Sequence, residues 1–127
     1  MQVLTNNPLI RDYNLSCDVE YMEGPLLDVL LEAKRYIVDE KRTIHTHPLS
    51  SSIKPNETVY KTIILSSKNH PYIDLESLEL IENAIDVHGK FQANFQTPNW
   101  SERILNDFAL IDFDLIMSTL PRMTYAD

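Results

Sequence analysis

The sequence predicts an α/β fold, a single domain over residues 1–127 with a mixed four- to five-stranded sheet flanked by about three helices. Two patterns carry that prediction: period-two alternation of apolar residues, which marks strands, and intervening stretches with the spacing of amphipathic helices. Composition agrees, since 43% hydrophobic and 24% charged residues are globular values far from the disordered range.

Taken in order, Met1 to Thr5 is a short apolar first strand, and Asn6-Asn7-Pro8 reads as the turn that ends it. Leu15, Cys17, Val19 and Tyr21 alternate with polar residues, the mark of a half-buried second strand. From Pro25 to about Glu40 the spacing becomes helical, with Leu26, Leu30, Ala33 and Ile37 inward and Asp28, Glu32, Arg35 and Asp39 outward. Pro25 suits a first helical turn, where an amide hydrogen would have no partner, and Lys41 and Arg42 sit where cations favour a helix C-terminus.

Thr43 to Thr46 and Tyr60 to Ser66 read as third and fourth strands on either side of a polar loop, and the run Ile63-Ile64-Leu65 implies a strand covered on both faces. Pro71 and an Asp74 N-cap open a second helix with Leu75, Leu78, Ile81 and Ile85 inward, and His88-Gly89 is its expected stop. Lys90 to Gln96 alternates like a short fifth strand or an extended cover. Asn99 with Glu102 resembles a capping box for a third helix that ends at Pro121, with Ile104, Phe108, Ile111 and Leu115 inward. Residues 111–117 also alternate like a strand, and the caps at both ends favour the helix.

The net charge of −8 repels phosphate backbones and anionic lipid, so neither nucleic acid nor membrane is an expected partner. No apolar run approaches the roughly 20 residues that cross a bilayer. Two glycines, Gly24 and Gly89, leave no way to write a P-loop or a dinucleotide fingerprint. The one cysteine, Cys17, has no disulfide partner, and nothing at the N-terminus resembles a signal peptide, so a cytoplasmic setting is expected.

Candidate chemistry gathers between Ile44 and Tyr60, the one place where imidazole, hydroxyl and proline residues fill a loop between apolar runs. His45 and His47 are two apart and share one side of an extended segment, as a pair of metal ligands does, although hydrogen-bonding histidines are commoner and only Glu57 or His70 is near enough in sequence to add a ligand. Ser50, Ser51 and Ser52 lack the elbow that exposes a nucleophile and are better read as turn formers. Lys54, Asn56, Glu57 and Thr58 form a proline-stiffened turn that either holds a small anion or locks its own backbone, and the residues alone do not choose. His45, His47, Ser50, Lys54, Asn56, Glu57 and Thr58 are thus the candidate binding residues, with no catalytic residue, metal or cofactor assigned. Cys17 shares a strand face with Leu15 and Val19 and reads as a small apolar residue; Trp100 and Tyr13 read as core or interface aromatics.

Thr5-Asn6-Asn7-Pro8, Thr46-His47-Pro48-Leu49, Lys54-Pro55-Asn56-Glu57-Thr58 and Tyr60-Lys61, with Ile104, Leu105, Asp107, Phe108 and Ile111-Asp112 in the last helix, resemble the GrdX-like family. These are small proteins encoded beside the glycine, sarcosine and betaine reductase components of amino-acid-fermenting anaerobes. Ser51 stands where glycine is expected and Val59 where proline is usual. The resemblance implies a cytoplasmic accessory role near those reductases, with reductase components as partners and the central loop as recognition surface. The alternative is a small enzyme or ligand-binding protein whose pocket is lined by His45, His47, Lys54, Asn56 and Glu57 and takes a metal or small anion. Self-association through a sheet edge or an apolar helix face is compatible with either.

Overall fold

The computed structural model describes residues 1–49, 58–94 and 98–120. Three strands form a mixed sheet: β1 (Gln2–Thr5), β2 (Asp18–Tyr21) and β3 (Thr62–Leu65), in the order β2-β1-β3. β1 pairs in parallel with β2, Val3 opposite Val19, and antiparallel with β3, Leu4 opposite Ile63. The helices are α1 (Pro8–Asp12), α2 (Leu26–Asp39), α3 (Leu75–Asn94) and α4 (Glu102–Thr119).

Strand alternation sorts the core into two clusters, because successive side chains leave a strand on opposite faces. Leu4, Ile63 and Leu65 point to the α2 and α3 side, where Leu30, Ile37 and Ile81 meet them. Val3 and Ile64 point to the α1 and α4 side and meet Ile10 and Ile116. Val3, Leu4, Ile63, Ile64 and Leu65 are fully buried, as expected of strands covered on both faces.

Several expectations are corrected. The sheet has three strands among the described residues, where four to five were expected. Thr43–Thr46 makes only an isolated bridge, Ile44 to Leu65, along the outer edge of β3. Its ladder is interrupted because Thr46 Oγ1 takes the place of a backbone acceptor for the Ile64 amide and Ser66 Oγ does the same for the Thr43 amide. The Asn6-Asn7-Pro8 turn opens a short helix, with Asn7 Oδ1 accepting from the Leu9 amide at 3.0 Å and Pro8 in the first turn.

α3 does not stop at His88-Gly89 but runs to Asn94, which removes the fifth strand for residues 90–94; residues 95–97 lie outside the described residues. A helix-interior glycine costs only ~1 kcal/mol against alanine, too little to end a helix anchored upstream, and a Lys90–Asp86 ion pair of 3.1 Å spans it. Asp74 does cap α3, its Oδ2 accepting from the Ser77 amide at 3.1 Å, but Leu75 is exposed rather than inward.

Ser101, two positions beyond the expected Asn99, caps α4. Residues 108–117 are helical, and the buried stripe is Ala109, Asp112 and Ile116, with Phe113 and Met117 beside it. Ile104 and Ile111, expected inward, are exposed, whereas Phe108 packs on Trp100 with ring centroids 5.5 Å apart. No described helix is long and apolar enough to cross a membrane.

Two turns tie down opposite ends of the sheet. Gly24 holds φ at 146°, a conformation that side chains resist, and its carbonyl accepts from Asn6 Nδ2 at 3.0 Å. Lys41, at φ 52°, turns the chain after α2 so that Arg42 reaches Gln2 Oε1 at 2.8 Å and the Ser66 carbonyl at 3.0 Å.

Candidate functional site

At the carboxyl end of β1 the chain turns through Asn6 and Asn7, and the two amides work in opposite directions. Asn6, buried, extends the β1–β3 ladder by side chain: Oδ1 accepts from the Lys61 amide at 2.8 Å, and Nδ2 donates to the Gly24 and Val59 carbonyls, each at 3.0 Å. Asn7, also buried, reaches α4: Nδ2 donates to the Ala109 carbonyl at 2.8 Å and to Asp112 Oδ2 at 3.0 Å, while Oδ1 caps α1. With both amide hydrogens and the oxygen used, Asn7 has one satisfied orientation.

A second path converges on the same carboxylate. The Asn7 amide donates to Thr5 Oγ1 at 2.9 Å, Thr5 and Thr62 hydroxyls lie 2.7 Å apart, and Thr62 Oγ1 donates to Asp112 Oδ2 at 2.6 Å. Because Thr62 has a single proton and gives it to Asp112, Thr5 must be the donor of the middle bond, so the relay runs one way from Asn7 to Asp112. Thr5, Thr62 and Asp112 are all at most 4% exposed. A carboxylate this deep is tolerated when hydrogen-bonded, and two donors on one oxygen supply that. They also leave Oδ1 without a donor among the described residues.

Above this network lies a cleft of about 140 Å³. Thr62 and Asp112 form its buried base; His45, Thr46 and His47 line one side, and Leu115, Ile116 and Thr119 of α4 the other. The 43–46 segment stands there because it runs antiparallel to β3: the His45 amide donates to the Ile64 carbonyl and the Ser66 amide to the Thr43 carbonyl, each at 2.8 Å. His47 is exposed, and its Nδ1 accepts from the Leu49 amide at 3.1 Å, which puts the proton of the neutral ring on Nε2.

Lys61, the residue before β3, is 1% exposed, and desolvation lowers its ammonium pKa to about 8 against the opposing pull of Asp112. Cys17 packs beside Leu15 and Val19, and burial raises its thiol pKa, in line with an inert apolar role.

Of the candidate binding residues, the structure brings His45 and His47 to one cleft, and the flanks of the central loop are neighbours as expected. Thr58 is buried on the approach to β3 and does not line the cleft. Ser50, Lys54, Asn56 and Glu57 lie outside the described residues. Among the described residues, no group of three or more His, Cys, Asp and Glu side chains is placed to hold a metal ion.

Sequence reasoning missed Thr5, Asn7, Thr62 and Asp112. The available signal was Asp112 itself, a carboxylate in register with Ala109 and Ile116 on an apolar helix stripe, where charges are rare unless satisfied. Three of the segments that carry the family resemblance, Thr5–Pro8, Thr46–Leu49 and Ile111–Asp112, meet around this cleft.

Comparison with known proteins agrees. A family model described as GrdX-like protein matches residues 2–121 of the chain. No curated protein and no solved structure matches it. A match over nearly the whole chain, on top of the segments that converge at the cleft, makes the protein a member of the GrdX-like family.

Proposed function

We propose that the protein is a cytoplasmic accessory factor of amino-acid reductase systems that works by holding a small polar ligand in the cleft over Asp112. The observation that carries this reading is the carboxylate itself: 2% exposed, held through one oxygen by Asn7 and Thr62, and lining a cleft. A domain that needed only to fold would be served as well by an apolar side chain there, since buried charges cost stability unless fully compensated.

The cleft's size bounds the occupant. A space of about 140 Å³ holds a few times the ~30 Å³ of one water, and it falls below the ~300 Å³ where drug-sized sites begin. A molecule of a few heavy atoms fits the described walls. The test is calorimetric and NMR titration of the protein with short amines, amino acids, carboxylates and inorganic phosphate, repeated on Leu115→Trp, which fills the cleft. Saturable binding by one class, lost in the variant, is expected. Failure of every class to perturb the Thr46 and Thr119 amides would overturn the reading.

A second reading, docking onto a reductase component, is favoured by the exposed apolar residues Ile104 and Ile111 on the outer face of α4. Its check is a pull-down from a reductase-expressing anaerobe, with Ile111→Glu as control. Recovery of reductase components by the wild type alone would support docking, and their absence from both would count against it.

A further inference from the structure

We propose that the cleft takes a small protonated amine, its ammonium group set against Asp112 Oδ1, with a hydrogen-bond-accepting group of the same molecule at the mouth beside His47. This rests on the reading of the cleft as a ligand site and adds the chemistry that selects the ligand.

The placement of protons decides the polarity of the cleft. Both donors to Asp112 fall on Oδ2, so Oδ1 is the acceptor left for an occupant. Thr62 spends its hydroxyl proton on Asp112 Oδ2, and Thr119 spends its own on the Leu115 carbonyl at 2.6 Å. Two hydroxyls that are nominally both donor and acceptor are therefore turned into acceptors on the cleft side. A base and wall made of a carboxylate oxygen and proton-committed hydroxyl oxygens match a group that carries several N–H donors and positive charge. A carboxylate or phosphate set at that base would meet the like charge of Asp112.

Leu115 and Ile116 supply an apolar wall that suits a short carbon chain. At the mouth the polarity reverses. His47 accepts from the Leu49 amide through Nδ1, so Nε2 carries the proton and donates. The occupant is thus polarised: donor-rich end inward, acceptor outward. A short amino acid or amino alcohol has that layout.

The experiment titrates the whole chain, followed by amide chemical shifts at Thr46 and Thr119, with methylammonium, glycine, trimethylated glycine and acetate at constant ionic strength. Methylammonium and glycine are expected to bind at one site. Acetate lacks the ammonium group and trimethylated glycine lacks N–H donors, so neither is expected to bind. Asp112→Asn should weaken glycine at least tenfold, and His47→Phe should weaken glycine several-fold while leaving methylammonium unchanged. Should Asp112→Asn fail to fold, Thr119→Val removes one inward acceptor without touching the relay, and it should weaken both amines several-fold. Binding of acetate but not methylammonium would overturn the amine assignment and leave the ligand site standing. Binding by none of the four, with none from the wider panel, would overturn both.

Discussion

The one-way relay from Asn7 through Thr5 and Thr62 to Asp112 predicts an asymmetry between two chemically identical substitutions. Thr62→Val removes the donor to Asp112 Oδ2, a hydrogen bond to a charged group worth about 1.5–3 kcal/mol, and leaves the Thr5 hydroxyl proton without its acceptor. Thr5→Val removes only a neutral bond to Thr62 and the acceptor of the Asn7 amide, while Thr62 keeps its bond to Asp112. Allowing for the apolar gain of a methyl, Thr62→Val should cost about 2–3 kcal/mol and Thr5→Val about 1–1.5 kcal/mol. The double variant should fall short of the sum by ~1 kcal/mol, because the middle bond is lost in each single variant and cannot be lost twice. Urea unfolding at pH 7 by linear extrapolation, with unchanged m, measures all three, and melting temperatures should drop by about 4 °C per kcal/mol. Equal costs for the two single variants, or additivity within ~0.3 kcal/mol, would refute the directed relay.

Three further outcomes are expected. Gly89→Ala should raise stability by about 0.5–1 kcal/mol, because the glycine is exposed in the interior of α3 and an added Cβ meets nothing within 4 Å; a loss in thermal denaturation would mean the helix ends there after all. Asn6→Ala should cost about 2–4 kcal/mol by the same assay, since one buried amide serves the Gly24 and Val59 carbonyls and the Lys61 amide. Lys61 titrates near 8 when folded and at 10.5 when unfolded, so the unfolded chain binds more protons between those values and stability should rise with pH across that window. The rise amounts to about 3 kcal/mol at 1.36 kcal/mol per unit. The raised pKa values of Cys17 and Tyr36 act oppositely above about 9. The difference between wild type and Lys61→Met isolates the lysine, and parallel stability profiles for the two proteins would contradict the assignment.

Much of the fold was legible because it depends on neighbours in sequence. β1, β2, β3 and α2 follow from local periodicity, and the inward set Leu26, Leu30, Ala33 and Ile37 is buried as its spacing requires. His45 and His47 were legible as a pair from their closeness in sequence, and both line the cleft; strand alternation is not the reason, since the chain bends at Thr46, which lines the cleft as well. The extent of α3 was not, since a glycine is a strong local stop signal and only the continued helix through Asn94 overrides it.

By itself, then, the sequence determined the class of fold, the elements with a clean period, the family, and the closeness of the two flanks of the central loop, one of which carries the histidines. Tertiary structure alone decided which face of α4 turns inward, because Ile104, Phe108, Ile111 and Leu115 make as good an apolar stripe as Ala109, Phe113, Ile116 and Met117. The choice fell to partners on distant parts of the chain. Asn7 and Thr62 offer donors that make burial of Asp112 tolerable, and Ile10 and Ile64 offer a surface for Ile116. A helix reads its own period locally, but which side is buried depends on what waits across the interface, and residues 7, 62 and 112 become neighbours only after folding.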